Sequence, residues 1–318
     1  MLSILGKRLL LVSGKGGVGK SACVAALARL ARARGLRVLA AEVDTRPVLP
    51  TFLAAPALAH PVPDGELRPV EDGLATVNLD HTSSVVFWLK EHLPVPRLLK
   101  AVVANPIIGH FLRAAPSVTE MAVLNRSWRL VRDMERGELP FDLLLLDLPA
   151  LGHAHQLLKV PTILAELVKA GPAARRAREV DQLLRDPGRT ALTLVSLAEE
   201  MPVSETIQLG QRIAREAGVP VQQLLVNQVT PPLLAEGSAA PLLGRIDARM
   251  NGRQGSLAEL IAAGLLREQR AHRHREQVER LRRSLPGIPL ATLPLLLQDD
   301  GPAGLVRNLA YRLAEVPT

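Results

Sequence analysis

The amino-acid sequence predicts an α/β fold in which a mostly parallel sheet is covered by helices on both faces. Short aliphatic runs bounded by turn residues recur along the chain, as buried strands do. Stretches with helical spacing lie between most of them, and that alternation builds parallel sheets. A third observation is the interval 82–137, which carries no strand pattern and is punctuated by Pro94, Pro96, Pro106 and Pro116. It reads as a small helical subdomain inserted into one domain spanning residues 1–318.

Taken in order, the first strand covers residues 8–13 and runs into a glycine-rich loop. A helix of small residues follows over 20–34. The next aliphatic runs, 37–43 and 75–79, flank a proline-rich stretch. The insert contributes Phe87, Trp88, Ile107, Ile108 and Phe111 as large apolar residues. Beyond it lie strands at 141–148 and 190–197, a helix at 203–217 and a strand at 221–226. Residues 230–256 hold Pro231, Pro232, Pro241 and four glycines, which predicts a mobile surface loop. A helix at 257–283, a strand at 289–293 and a helix at 303–314 complete the series. Aromatic residues make up only 2% of the 318, so aliphatic side chains must fill the core.

The single cysteine, Cys23, excludes an internal disulfide framework or a Cys-rich metal site within one chain. No signal segment precedes the glycine loop, and prolines and polar residues interrupt the uncharged stretches. The expectation is a cytoplasmic protein without a transmembrane segment. Net charge is +8, spread over many segments, as expected of solvated faces more than of one anion-binding block.

Gly14-Lys15-Gly16-Gly17-Val18-Gly19-Lys20-Ser21 follows a strand and opens a helix, which is the context of a phosphate-binding P-loop. Glycines let backbone N–H groups turn toward phosphates, and the helix N-terminus adds its positive end. Lys20 is placed to reach the β- and γ-phosphates of ATP and Ser21 to ligate Mg²⁺. The extra lysine, Lys15, marks the deviant Walker A class. That class resembles ATPases that dimerise face to face, so that this lysine reaches the partner's nucleotide. Phe141 to Asp147 is an apolar strand ending in an acid, and Asp147 would hold Mg²⁺ through water. Gly152 permits a hinge after it, with His153 beside it.

These features together resemble the ArsA family. The resemblance rests on the KGGVGKS loop, the D-x-x-x-x-G-H switch at Asp147, Gly152 and His153, the segment 198–206, and the Leu225-Val226-Asn227-Gln228 strand. The family includes the arsenite-pump ATPase and the cytosolic targeting factor for tail-anchored membrane proteins, and the chain closely resembles its single-unit bacterial branch. It implies a homodimeric Mg-ATP-dependent switch, with a hydrophobic helix or membrane protein as client. It further implies that Asp44 activates water, that Asn227 reads the adenine edge, and that Pro294-Leu295 closes over the base. Ala22 departs from the usual hydroxyl residue, and Asp44-Thr45-Arg46-Pro47 from the usual switch I pattern.

His153 reads as part of the switch, and His155, His272 and His274 as surface residues. Cys23 reads as a small buried residue. The competing function is a ParA- or MinD-like positioning ATPase acting on DNA or membrane, supported by seven Arg against three Glu in 267–283. Glu268, Glu276 and Glu279 interleave with those arginines, which argues against a specific DNA site.

Overall fold

The structure, a computed structural model, describes residues 2–43, 47–56, 65–92, 116–233, 239–249, 256–296 and 301–315. Asp44 and residues 93–115, which include Ile107, Ile108 and Phe111, lie outside them. The described chain is α/β, with an eight-stranded sheet that is parallel except at one edge, in a P-loop NTPase arrangement.

The strands are β1 (Leu9–Gly14), β2 (Val38–Glu42), β3 (Arg68–Glu71), β4 (Leu74–Asn78), β5 (Leu143–Asp147), β6 (Thr190–Leu197), β7 (Val221–Val229) and β8 (Leu290–Pro294). Their order is β3-β4-β2-β5-β1-β6-β7-β8. β1 is central, paired with β5 on one side and β6 on the other. Successive strands move first to one side of β1 and then to the other. The carboxyl ends around β1 therefore border the crevice where ligands bind in open parallel sheets.

The helices are α1 (Leu2–Leu5), α2 (Lys20–Ala33), α3 (Leu49–Phe52), α4 (His81–His92), α5 (Pro116–Glu135), α6 (Leu151–Leu167), α7 (Pro172–Arg185), α8 (Glu200–Arg212), α9 (Ala239–Arg249), α10 (Ser256–Ser284) and α11 (Gly301–Glu315), with a π-helical turn at Ile213–Ala217 after α8. Because β1, β2 and β5 are covered on both faces, every residue in them is buried. One core layer joins Leu10, Val12, Val38 and Leu145 to α2, and the other joins Leu9, Leu11, Leu39 and Leu146 to α5, α6 and α7. Ala22, Ala25, Ala26 and Ala28 let α2 lie close against the sheet, and α11 packs beside it.

Three expectations change. β3, Arg-Pro-Val-Glu, is an antiparallel edge strand with one buried residue; so polar a segment has no alternating apolar face to announce it. The stretch expected to be loop over 230–256 contains α9, because Pro241 falls in the first turn, where a missing N–H costs nothing. The helix expected over 203–217 begins at Glu200 and ends in the π-turn. Within 82–137, α4 packs on α5; Val85 is buried, and Val123 and Leu124 join the core layer against the sheet. Phe87 lies under the guanidinium of Arg126, 4.3 Å from its ring centre.

Candidate functional site at the carboxyl ends of the strands

The P-loop bridges the end of β1 and the start of α2. Two of its glycines are needed for space, and one of them for backbone freedom as well. A Cβ on Gly14 would stand 2.3 Å from the carbonyl oxygen of Val195. Gly19 has φ +88°, a left-handed conformation, and its Cβ would lie 2.5 Å from the Asn227 side-chain nitrogen. Cys23, one turn into α2, is fully buried, and burial followed by the nearby charge of Asp147 pushes its thiol up to about 12. It is a packing residue and not a thiolate nucleophile.

Asn227, 4% exposed, braces the loop: its Nδ2 donates to the Val18 carbonyl at 3.0 Å. The residue is aimed there by an irregularity in β7. Gln228 takes φ +56°, and the register against β8 shifts between Val226 and Val229. Such a bulge re-aims neighbouring side chains. Leu295, just past the end of β8, donates its N–H to Val229 at 2.9 Å, which sets Pro294-Leu295 beside the same bulge.

Ser21 Oγ donates to Asp147 Oδ2 at 2.5 Å. β5 delivers Asp147 to the head of α2, and both groups offer hard oxygen atoms suited to Mg²⁺. Lys20 Nζ lies 3.4 Å from the Lys15 carbonyl, folded back over the loop. Lys15 turns away from it and pairs with Glu205 Oε1 of α8 at 2.8 Å, within its own chain. Gly152 and His153 occupy the exposed first turn of α6, and nothing stands within 4 Å of a Cβ built on Gly152.

Glu42 was not singled out from the sequence. It is 3% exposed at the end of β2, in register with Asp147 on the neighbouring strand. Its carboxylate accepts from Val48 N at 2.8 Å and from Leu49 N, tying down the far end of the segment that contains Asp44. Glu42 stands seven residues before the first residue of α3, too far to read as an ordinary N-cap, so no local pattern announced it. Two histidines are also corrected. His155 is 5% exposed, with Nε2 3.1 Å from Glu216, because α6 lies against the π-turn. His274 is half-buried and accepts the Thr230 N–H at 3.0 Å. Among the described residues no group of three or more His, Cys, Asp and Glu could hold a metal ion.

A strand-borne loop of this form, faced by a serine, an acid and a bracing asparagine, has counterparts in known proteins. The sequence model of the anion-transporting ATPase family, ArsA_ATPase, matches residues 7–176 and 170–241. The chain belongs to this family. It is an ArsA-family P-loop ATPase, and the matched region takes in the loop, Asp147, Glu205 and Asn227. ATPase BagA of Mycobacterium tuberculosis is 28% identical over 98% of this chain and 93% of its own length. ATPase GET3C of Arabidopsis thaliana is 23% identical over 73% of this chain and 69% of that protein. The arsenical pump-driving ATPase of Acidiphilium multivorum is 27% identical, covering 72% of this chain and 41% of the relative. In this ArsA-family chain no helix among the described residues is long and apolar enough to cross a membrane.

Proposed function

We propose that this ATPase is a Mg-ATP-dependent dimeric switch that binds and releases a hydrophobic client segment. The contact between Ser21 and Asp147 carries the reading, since it sets a hydroxyl and a carboxylate at the head of the phosphate loop. Backbone N–H groups of residues 14–19 and the Lys20 ammonium bind the phosphates. Ser21 Oγ and, through water, Asp147 would hold Mg²⁺, which when bound neutralises phosphate charge. Asp44 orients the attacking water and takes its proton. Asn227 keeps one amide N–H and its carbonyl for the adenine edge, and Pro294-Leu295 closes over the base. Gly152 and His153 then respond to loss of the γ-phosphate.

Lys15 acts across the dimer on the partner's ATP. Its pairing with Glu205 supports a resting place from which a second subunit draws it; a half-exposed ion pair holds by at most about 1 kcal/mol and yields readily to a phosphate. For the client, the exposed apolar side chains of α9 and α10 are the better support: Leu242, Ile246, Leu260 and Leu266, the last two 70% and 63% exposed. In α4 and α5 the described apolar residues pack inward. The DNA reading is the weaker one, because Arg282 and Arg283 of α10 are paired with Glu279.

The test combines three variants. Lys20→Ala should lose calorimetric ATP binding, while Asp44→Asn should keep it and lose turnover. Leu260→Asp with Leu266→Asp should retain ATPase activity and lose ATP-dependent capture of a hydrophobic helical peptide. Wild-type turnover in Asp44→Asn would move the chemistry to another residue.

A further inference from the structure

Away from the phosphate loop, α5 and α7 enclose a cavity of about 530 Å³ whose charged lining is one-sided. Arg132 of α5, Arg136 just past its end, Arg175 and Arg176 of α7, and Arg189 before β6 face it, against the single carboxylate of Glu179. Sequence spacing hides this grouping, since the five arginines come from three segments.

Three of the five guanidiniums, those of Arg132, Arg176 and Arg189, are held in place. Trp128 serves as a post, with Arg176 3.9 Å and Arg132 5.1 Å from its ring centre. Arg189 spends Nε and Nη2 on Glu135, and Arg132 spends the same atoms on Asp133; neither carboxylate lines the cavity. Each arginine keeps further N–H donors beyond those forks. Arg176 meets Glu179 at 3.2 Å through Nε, but its Nη1 is buried without any hydrogen-bond partner. Burial and neighbouring arginines also lower its pKa, opposed by Glu179. A buried N–H with no acceptor costs free energy that a bound oxygen would recover. Arg175 is exposed and takes part in no ion pair among the described residues.

We propose that this cavity is a second anion site, for a small ligand bearing two or more phosphate groups. The volume falls in the range of small-molecule sites and exceeds what one phosphate fills. Planar guanidinium forks match phosphate oxygens two at a time, as lysines do not. The site is separate from the phosphate loop, being built on the flank of α5 and α7. It touches the hydrolysis cycle through α7, which packs along α6, the helix that carries Gly152 and His153 in its first turn.

The chain has two tryptophans, so Trp88→Phe leaves Trp128 as the sole indole reporter. With the phosphate loop saturated by Mg-ADP, inorganic tripolyphosphate should quench or shift Trp128 emission in a saturable way. Arg136→Glu with Arg175→Glu changes two exposed side chains, and should weaken that binding by about 100-fold, roughly tenfold for each guanidinium lost, without altering thermal unfolding. In a second arm, vesicles containing a phosphoinositide should bind no better than vesicles of neutral lipid. A silent Trp128, or affinity unchanged in the double variant, overturns the site. Binding to phosphoinositide vesicles without any response to tripolyphosphate overturns its assignment to a free anion.

Discussion

Gly19→Ala puts the bracing of the phosphate loop to a quantitative test. Two costs arise at that position. The residue sits at φ +88°, where an L side chain loses about 1–2 kcal/mol. The new Cβ would also fall 2.5 Å from Asn227 Nδ2, so the amide must move and release the Val18 carbonyl it now holds. Leaving that buried oxygen unpaired costs about 2 kcal/mol. Gly19→Ala should therefore destabilise by about 3.5 kcal/mol and Asn227→Ala by about 2 kcal/mol. In the double variant the collision has disappeared and the lost bond is counted once, so the sum of its costs is again about 3.5 kcal/mol. The coupling is about −2 kcal/mol, and the double variant should be no less stable than Gly19→Ala alone. Urea unfolding of the four proteins measures it. Additivity within about 0.5 kcal/mol would show that Asn227 does not brace the loop.

Other expectations follow from named contacts. Glu205→Gln removes the resting partner of Lys15 at little cost in stability, and should raise ATP-driven dimerisation measured by light scattering; no change, or a loss, contradicts a resting role. The fork from Arg37 holds the Asp142 carboxyl down to about 2. A depressed folded-state pKa gives stability that is complete above the ordinary carboxylate value of about 3.9 and is lost as pH falls through about 2. Because the pair is largely exposed, Asp142→Asn should cost about 1 kcal/mol at most at pH 7, and the difference from wild type should vanish near pH 2. A gap that widens on acidification would reverse that assignment.

The central strands and the phosphate loop were legible because burial on both faces leaves continuous aliphatic runs, each ending at a residue type with a task. β5 shows this best: Leu143 to Leu146 are fully buried and Asp147 closes the run. α7 was legible too, since Ala174, Ala177, Val180 and Leu184 recur at helical spacing after Pro172 at the helix start, yet it was not anticipated. α6 is harder to see, because Pro161 interrupts it and its apolar residues are not confined to one face. What no local pattern could show is the meeting of distant groups. Lys15 with Glu205, Asn227 with Val18, and the five arginines around Trp128 depend on strand order and on the bulge at Gln228, which are properties of the folded sheet.

The central claim is that two chains share the work of hydrolysis through Lys15. It is tested most directly by mixing Lys15→Ala with Lys20→Ala. The first variant binds ATP but offers no lysine to its partner; the second binds no ATP but carries an intact Lys15. In the mixed dimer one site has both lysines. Lys15→Ala alone should therefore fall by about 10³-fold in turnover, as loss of a finger group does, Lys20→Ala alone should be inactive for want of bound ATP, and the mixture should recover activity in proportion to the heterodimer present. Heterodimer formation without any recovery, or full activity in Lys15→Ala by itself, would contradict it.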